Sequence, residues 1–385
     1  MSFKALFSRS LGADPRRLHF AAHSHHLWPD ASYDGQVAAW EDAARLADRK
    51  WDRVMGEVYP EAQREVAAEL GTDMADAIVF ASNTHDLLVR LFAAVSESWP
   101  IRVLTSDGEF HSARRQFARW EESGAAVFER IPTYPFDTFS ERFLEAAKSG
   151  DAQIIFVSQV MFGSGLIFDK IEELAALGRP DGPWVVIDGY HSFMAIDRPL
   201  GAQPAQSAFF LGGGYKYAMA GEGCGFMHAP PGFGERPRIT GWYAEFEDLG
   251  LPPGQVGYAK TADRFLGATF DPSALYRFTA IRRMLAENGL MTARVSAHAE
   301  ALQKHLLSRF DGTPLANAEL LNPVTQGPHA RFLAFRHTEA QRWYEQLKSR
   351  NVITDVRGDV LRIGFGIYQD DADVDRLIEH LGELE

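Results

Sequence analysis

Cysteine is nearly absent from this sequence of 385 residues, and long hydrophobic runs are absent too. The one cysteine, Cys224, excludes a disulfide within the chain and any zinc site built from several cysteines. No segment approaches the roughly 18 uninterrupted apolar residues of a membrane-spanning helix. The first twelve residues also lack the apolar core of about 7 to 15 residues that a secretory signal carries. We therefore expect a cytoplasmic protein that does not enter a membrane.

Positive charge is also scarce. The chain has 39 Lys and Arg against 52 Asp and Glu, which gives a formal net charge of −13. A surface that binds a nucleic-acid backbone needs a basic stripe, so this balance argues against a nucleic-acid partner. With 46% hydrophobic and 24% charged residues, the composition is that of an ordinary globular protein with enough apolar material for a large core.

Short apolar runs and amphipathic segments alternate through the first two thirds of the chain. The runs lack polar alternation, which is typical of strands buried on both faces. Helical patterns lie between several of them, and this alternation predicts an α/β fold with a mostly parallel sheet flanked by helices. The predicted strands are Ala77–Ser82, Arg102–Ser106, Gln153–Val160, Trp184–Asp188, Ser207–Leu211 and Gly223–His228, and the predicted helices are Asp86–Val95, Ser112–Ser123 and Phe139–Ser149.

The pattern changes after a helical run that begins at Ser273. A predicted helix from about Met291 to Phe310 is followed by strand-like Ala330–Arg336 and Val352–Ile367 and then by an acidic helix. This order of predicted helices and strands indicates a small C-terminal α+β domain. We divide the chain into an N-terminal arm (1–40) that contributes to the active site and the small domain, a large domain (41–275) and the small domain (276–385).

Polar side chains follow the predicted strands, at the sheet edge where ligands of α/β proteins bind. Asn83, Thr84 and His85 open a helix after the first strand, where backbone N–H groups suit a phosphate, although a plain N-cap by Asn83 or Thr84 is the commoner explanation of such residues taken alone. Phe110 follows the second strand and could stack on a flat ligand or simply belong to the core.

An acid and a lysine stand at the ends of two successive strands. Asp188 ends an apolar strand, where a carboxylate needs a cationic partner unless it merely caps a loop. Lys216 follows three glycines after the next strand; it is either a surface lysine or a desolvated amine able to form a Schiff base. Together they match the requirements of pyridoxal phosphate, because the lysine carries the aldehyde and the acid keeps the ring nitrogen protonated.

The order Asn-Thr-His, Glu-Phe-His-Ser, Asp-Gly-Tyr-His and Tyr-Lys-Tyr resembles fold-type I pyridoxal phosphate enzymes of the class V aminotransferase group, and within it kynureninase. The resemblance implies that Lys216 binds the cofactor, Asp188 pairs with its ring nitrogen and Phe110 stacks on its ring. It also implies a homodimer, because Thr269 lies in a Gly-Ala-Thr-Phe-Asp-Pro segment similar to one that reaches the neighbouring subunit's phosphate. The other implied cofactor-binding residues are Ser112, Ser158, His191, Tyr215 and Trp242.

The same resemblance extends to the substrate. Arg362 lies in a strand similar to the arginine strand of these enzymes. It would bind the α-carboxylate of an amino acid through a bidentate pair of hydrogen bonds. Ser24, His25 and His26 of the N-terminal arm are candidates to enter the substrate pocket. A metal site is not expected from these histidines, because no His-x-x-x-His spacing or acidic partner accompanies them.

The predicted reaction is kynureninase-type hydrolysis of kynurenine or 3-hydroxykynurenine to anthranilate and alanine, with Lys216 as base and Tyr215 as proton donor. A class V aminotransferase, epimerase or other lyase on a different amino acid remains the alternative within enzymes. A cofactor-free scaffold that kept the fold is the alternative outside them. A desulfurase is disfavoured because it needs a mobile cysteine far downstream of position 224.

Overall fold

The computed structural model describes residues 2–95, 99–248, 250–252, 254–324 and 327–385. Within them the helices are α1 (Ser8–Gly12), α2 (Asp30–Leu46), α3 (Lys50–Arg53), α4 (Tyr59–Leu70), α5 (Thr84–Val95), α6 (His111–Glu122), α7 (Phe139–Ser149), α8 (Ile171–Ala175), α9 (Ser273–Glu287), α10 (Thr292–Leu307), α11 (Ala340–Ser349) and α12 (Asp371–Gly382). The strands are β1 (Leu18–His19), β2 (Ile78–Ala81), β3 (Ile101–Ser106), β4 (Ala126–Ile131), β5 (Ile154–Ser158), β6 (Trp184–Asp188), β7 (Ala208–Gly213), β8 (Gly225–His228), β9 (Glu319–Leu320), β10 (Phe332–Arg336), β11 (Val352–Ile353), β12 (Asp355–Arg357) and β13 (Val360–Gly364).

A seven-stranded sheet forms the centre of the large domain. Its strand order is β2-β8-β7-β6-β5-β3-β4, and β8 alone runs against its neighbours. Strands β5 and β7 are buried along their whole length, because helices cover both faces of the sheet. The mostly parallel sheet and the small C-terminal domain are confirmed as predicted.

The small domain is built on a four-stranded antiparallel sheet with the order β12-β13-β10-β9. Its core is separate from that of the large sheet and includes Leu333, Phe335 and Trp343. Leu18 and Phe20 of the N-terminal segment belong to this second core, and β1 pairs in parallel with β11. The N-terminal segment is thus tied to the small domain, while the boundary near residue 275 stays a prediction.

Several predicted elements need correction. The strand predicted over Val352–Ile367 is three short strands, β11, β12 and β13, because the chain reverses at Gly358, whose φ is +60°. Strand β4 was not predicted, because it is an edge strand with Val127, Glu129 and Arg130 exposed and so lacks the near-continuous apolar pattern of the buried strands. The predicted helix from Met291 to Phe310 begins at Thr292 and ends at Leu307.

None of the helices in the described ranges is both long and apolar enough to cross a lipid bilayer.

Candidate active site

A cavity of about 150 Å³ lies at the carboxyl ends of β5, β6 and β7, where a parallel sheet presents its ligand site. It collects residues from five separate segments of the chain. Ten of the residues predicted for the cofactor line it, and Val160, Phe162 and Tyr190 line it with them. The ten are Asn83, Thr84, His85, Phe110, Ser112, Ser158, Asp188, His191, Tyr215 and Lys216.

Strand β6 places Asp188 in this cavity. The residues before it are apolar and buried between β5 and β7, so the carboxylate emerges only at the last position of the strand. Gly189 turns the chain directly against the ring of Phe210; an added Cβ would lie 1.8 Å from that ring, so no other residue fits. Asp188 Oδ1 accepts a hydrogen bond from the backbone N–H of Tyr190 at 3.0 Å.

Lys216 reaches the same cavity from the segment after β7. Its side chain is 5% exposed, and its Nζ lies 2.6 Å from Nε2 of His191. The amine is 4.8 Å from the ring centre of Tyr190 and 5.5 Å from that of Phe110. Gly213 permits this packing, because an added Cβ would meet the Tyr190 hydroxyl at 2.3 Å.

The electrostatics of the lysine and the acid follow from burial. Desolvation lowers the pKa of Lys216 to about 7, and the guanidinium groups of Arg362 and Arg357 act in the same direction against the attraction of Asp188. Burial raises the pKa of Asp188, although the Tyr190 N–H and the charge of Lys216 oppose that shift. A fraction of Lys216 is therefore a neutral amine at neutral pH, which is the form that attacks an aldehyde.

The N-terminus of α5 forms the other end of the cavity. Asn83 Oδ1 accepts the backbone N–H of Asp86 at 2.9 Å, so Asn83 does cap the helix. Asn83 therefore both caps α5 and lines the cavity. Within the described residues, Nδ1 of His85 is buried without a hydrogen-bond partner. Its imidazole, the Thr84 hydroxyl and the helix N-terminus are suited to an anionic group.

A buried acid that the sequence did not reveal lies beneath this cavity. Glu109 is 1% exposed, and its carboxylate accepts hydrogen bonds from the hydroxyls of Ser106 and Ser158, each at 2.5 Å, and from the Ser158 N–H at 3.1 Å. Burial raises its pKa to about 7, with a contribution from the charge of Asp188 and against the three donors. Sequence reasoning missed it, because a glutamate in a strand-to-helix loop is usually exposed.

Arg362 is buried behind the cavity wall. Its guanidinium pairs with Asp355 of the neighbouring strand and donates to the backbone carbonyl of Phe162. Burial lowers the pKa of Arg362 to about 10, so it stays cationic at neutral pH. Next to this pair, Nε2 of the fully buried His23 lies 3.7 Å from Asp355.

The remaining predicted residues do not line the cavity of this chain. His25 stacks on Tyr215 with ring centres 5.0 Å apart, on the exposed side of that ring, while His26 is buried against Tyr368. Ser24 lies beside them on the turn. Trp242 and Thr269 lie elsewhere on the surface, where the indole N–H donates to the threonine hydroxyl at 3.3 Å.

Candidate metal ligands and the cysteine were sought among the residues that the structure describes. These described residues contain no group of three or more His, Cys, Asp or Glu side chains that could hold a metal ion. Cys224 is buried, and burial raises the pKa of its thiol to about 12. Such a thiol is a poor nucleophile.

Comparison with known proteins agrees with this architecture. Residues 295–381 match the family model of the kynureninase C-terminal domain. The chain is 28% identical over 231 residues to isopenicillin N epimerase from Streptomyces clavuligerus; this covers 58% of the chain and 55% of that enzyme. It is 24% identical over 363 residues to isopenicillin N epimerase from Amycolatopsis lactamdurans, covering 89% of each.

Among solved structures, the cystine C-S lyase C-DES in complex with cysteine persulfide superposes with a TM-score of 0.81 at 14% identity. The match covers 98% of this chain and all of that one. A mutant of the same lyase carries glycine covalently linked to its pyridoxal phosphate cofactor. Because the identity is low, this likeness shows the fold alone.

The residues of the cavity fit pyridoxal phosphate, the cofactor of this fold. A buried amine and a buried carboxylate line the same cavity, together with an aromatic ring, and a helix N-terminus closes it. Asp188 Oδ2 has no hydrogen-bond partner within the described residues, which leaves it available to a ring N–H. The chain therefore has the fold of the type I pyridoxal phosphate enzymes, and its matches support a class V aminotransferase-like member of that group.

Proposed function

We propose that this chain is a pyridoxal phosphate-dependent enzyme that hydrolyses the Cβ–Cγ bond of kynurenine or 3-hydroxykynurenine, releasing anthranilate and alanine. The observation that carries the cofactor chemistry is the buried Lys216 amine in one cavity with buried Asp188. The kynureninase-type outcome is supported by the match of residues 295–381 to the kynureninase C-terminal domain.

The cofactor, when bound, would supply an electron-accepting ring for the bonds at the substrate's Cα. Asp188 would hold the proton on the ring nitrogen, because a buried carboxylate gains a cationic partner there. Lys216 would take the α-proton on Nζ once the substrate amine has replaced it. His191, 2.6 Å from Nζ, would keep the amine in place for that transfer.

Arg362 would bind the α-carboxylate. Its charge is matched by Asp355, so a substrate carboxylate must share or replace this partner. A planar guanidinium can serve two carboxylates through different edges, which a lysine cannot do. Arg362 also lies within the segment that matches the kynureninase family model, which supports assigning it to substrate binding.

Tyr215 would donate a proton to Cβ as the bond breaks. It lines the cavity next to Lys216, and burial raises the pKa of its hydroxyl, with the charge of Asp188 acting in the same direction. The hydroxyl therefore keeps its proton at neutral pH and can act as a general acid.

We further propose that the enzyme is a homodimer with shared sites. Trp242 and Thr269 lie outside the cavity of their own chain but contact each other on the surface. This placement is consistent with their predicted role at the phosphate of a partner subunit.

Epimerisation of an amino acid is the second candidate. It is supported by the two relatives named isopenicillin N epimerase, one of which aligns over 89% of this chain. The two reactions share Lys216 and the loss of the α-proton, and they differ in whether the Cβ–Cγ bond breaks.

The first test is the absorbance of the purified protein with added cofactor. A band at about 420 nm that borohydride bleaches is expected, because it marks a lysine bound to the aldehyde. The band should be absent from Lys216→Ala and present in Lys260→Ala, a matched change at an exposed lysine. A protein that stays colourless is a scaffold and not an enzyme of this class.

The second test separates the two reactions. The coloured protein is incubated with kynurenine while anthranilate fluorescence is followed, and in parallel with amino acids in D2O while α-proton exchange and chirality are measured. Release of anthranilate identifies the hydrolase. Exchange with inversion at Cα and no anthranilate identifies the epimerase and refutes the kynureninase proposal.

A further inference from the structure

We propose that a second cavity, between the two domains, binds an aromatic carboxylate and receives the acyl fragment released from the substrate. This inference rests on the proposed hydrolysis and deepens it. The cavity has a volume of about 370 Å³, which is within the range of small-molecule sites. We call it the acyl chamber; the residues that define it here are His111, Arg114, Phe136, Phe162, Arg336 and Arg357.

The acyl chamber adjoins the cofactor cavity. Phe162 lines both, and its ring centre lies 5.4 Å from that of Phe110 in the cofactor cavity and 5.4 Å from that of His111 in the chamber. Phe110 is also the ring that lies 5.5 Å from the Lys216 amine. A substrate whose Cα faces Lys216 can therefore extend its side chain past Phe162 into the chamber.

Three arginines and one acid line the chamber. Arg357 and Arg336 each have an acidic partner, at 3.4 Å from Asp355 and 3.2 Å from Glu319 respectively. Arg114, in contrast, has no acidic partner within the described residues, and its guanidinium instead donates to Nδ1 of His111 at 2.7 Å. An unmatched guanidinium at the wall of a cavity is suited to a carboxylate ligand.

The chamber also contains one acid and one imidazole. Asp107 is that acid; its Oδ1 accepts the N–H and the hydroxyl of Thr133, at 2.8 and 2.9 Å, and it forms no ion pair with Arg114 within the described residues. Because arginine can only donate, Nδ1 of His111 must accept from Arg114, so the proton of the neutral ring lies on Nε2. His111 then offers a further N–H donor to an anion.

Aromatic side chains complete the chamber. The rings of His111 and Phe162 meet at 54°, and Phe136 lines the chamber with them. Rings of this kind hold a flat aromatic ligand by edge and face contacts. The combination of aromatic walls with an unmatched arginine therefore selects a ligand that has both a ring and a carboxylate.

The proposed hydrolysis produces such a group. The oxygen of water bonds to the γ-carbonyl carbon, the Cβ–Cγ bond breaks, and its electron pair remains on Cβ, which takes a proton. The γ-carbon leaves as a carboxylic acid that ionises and releases one proton. The new negative charge thus appears on the aromatic fragment, where Arg114 can bind it once the fragment has moved into the chamber.

The test measures ligand binding to the holoenzyme by calorimetry, so it does not depend on turnover. Anthranilate and benzoate are compared with aniline, which lacks the carboxylate, and with glutarate, which lacks the ring. Arg114→Gln is compared with Arg115→Gln, a matched change at the next position of α6 that lies outside the chamber. Circular dichroism and thermal melting confirm that both variants fold.

We expect anthranilate and benzoate to bind the wild type, and aniline and glutarate to bind at least about tenfold more weakly. Arg114→Gln should weaken anthranilate by about tenfold to 100-fold, because a charge-assisted hydrogen bond is lost, while Arg115→Gln stays near the wild-type value. The affinity of Arg114→Lys for anthranilate should lie between those of the wild type and Arg114→Gln, because lysine keeps the positive charge but lacks the planar guanidinium that binds a carboxylate at two points.

Unchanged anthranilate affinity in folded Arg114→Gln would overturn the inference, as would glutarate that binds more tightly than benzoate. A third variant, Arg362→Gln, separates the chamber from the α-carboxylate position. This variant should bind alanine more weakly and bind anthranilate with unchanged affinity. If it instead bound anthranilate more weakly and alanine normally, the proposed anthranilate site in the acyl chamber would be refuted. Failure of the proposed function is recognised separately, by the absence of the 420 nm band or of anthranilate release.

Discussion

Replacing Glu109 by glutamine tests whether the acid beneath the cofactor cavity is truly buried. Its pKa is raised from the usual 4.5 to about 7 by desolvation. Each pKa unit is worth about 1.4 kcal/mol, so ionising this carboxyl in the folded chain costs about 3 kcal/mol more than in the unfolded chain. Because the folded-state pKa is the higher one, the stabilisation is complete below about pH 4.5 and is lost as the pH rises through about 7.

Glu109→Gln removes this titration and keeps one acceptor for the donors of Ser158. We therefore expect the free energy of unfolding of the wild type to fall by about 2.5 kcal/mol more than that of the variant between pH 5 and pH 8, since part of the loss already occurs below pH 5. Urea denaturation of the cofactor-free proteins at pH 5, 6, 7 and 8 measures this difference. Glu122→Gln, the same change at an exposed position of α6, is the control and should follow the wild type. A wild-type-to-variant difference that stays constant within about 0.5 kcal/mol across this range would refute the argument.

Three further predictions concern the site. Because the pKa of Lys216 is lowered to about 7, the rate at which the cofactor-free protein captures added pyridoxal phosphate should rise from pH 6 to about pH 8 and then level off; a rate independent of pH would contradict this. Arg362→Lys should raise the KM for an amino-acid substrate by about tenfold or more with a smaller effect on kcat, since the two-point contact is lost; steady-state kinetics decides this, and an unchanged KM would remove Arg362 from substrate binding. Cys224 should not react with a thiol reagent in the native protein and should react once urea unfolds it, because its thiol is buried with a pKa of about 12; rapid native labelling would contradict this.

Part of the site could be predicted because Asp188 and Lys216 stand where strands end. Asp188 follows four apolar residues that form β6, and the predicted limits of that strand are those observed. Since all but one strand of the large sheet run the same way, strand-end residues such as Ser158 and Asp188 reach one edge; these two are paired in register. Ser158 was predicted from the family resemblance, whereas for Asp188 the common direction of the strands was enough and their order was not needed.

The chemistry of Glu109 could not be predicted. Its neighbours in sequence are the mixed polar and aromatic residues of a loop, which indicate nothing about burial. Only the approach of β5 to the end of β3 places Ser158 over its carboxylate and excludes water. The same is true of Arg362, whose pairing with Asp355 depends on the register of β12 and β13.

The resemblance to pyridoxal phosphate enzymes supplied Ser112, Ser158, His191 and Tyr215 as predicted site residues. The sequence by itself determined the fold class and the placement of Asp188 and Lys216 at the ends of two strands. The reason is that apolar periodicity and the residues at strand ends are local signals, which survive without knowledge of contacts. Tertiary structure alone decided how the residues are charged and which cavities they share. Desolvation and ion pairing depend on every group packed around a side chain, so the lowered pKa of Lys216, the raised pKa of Glu109 and the unmatched charge of Arg114 emerge only when distant segments meet.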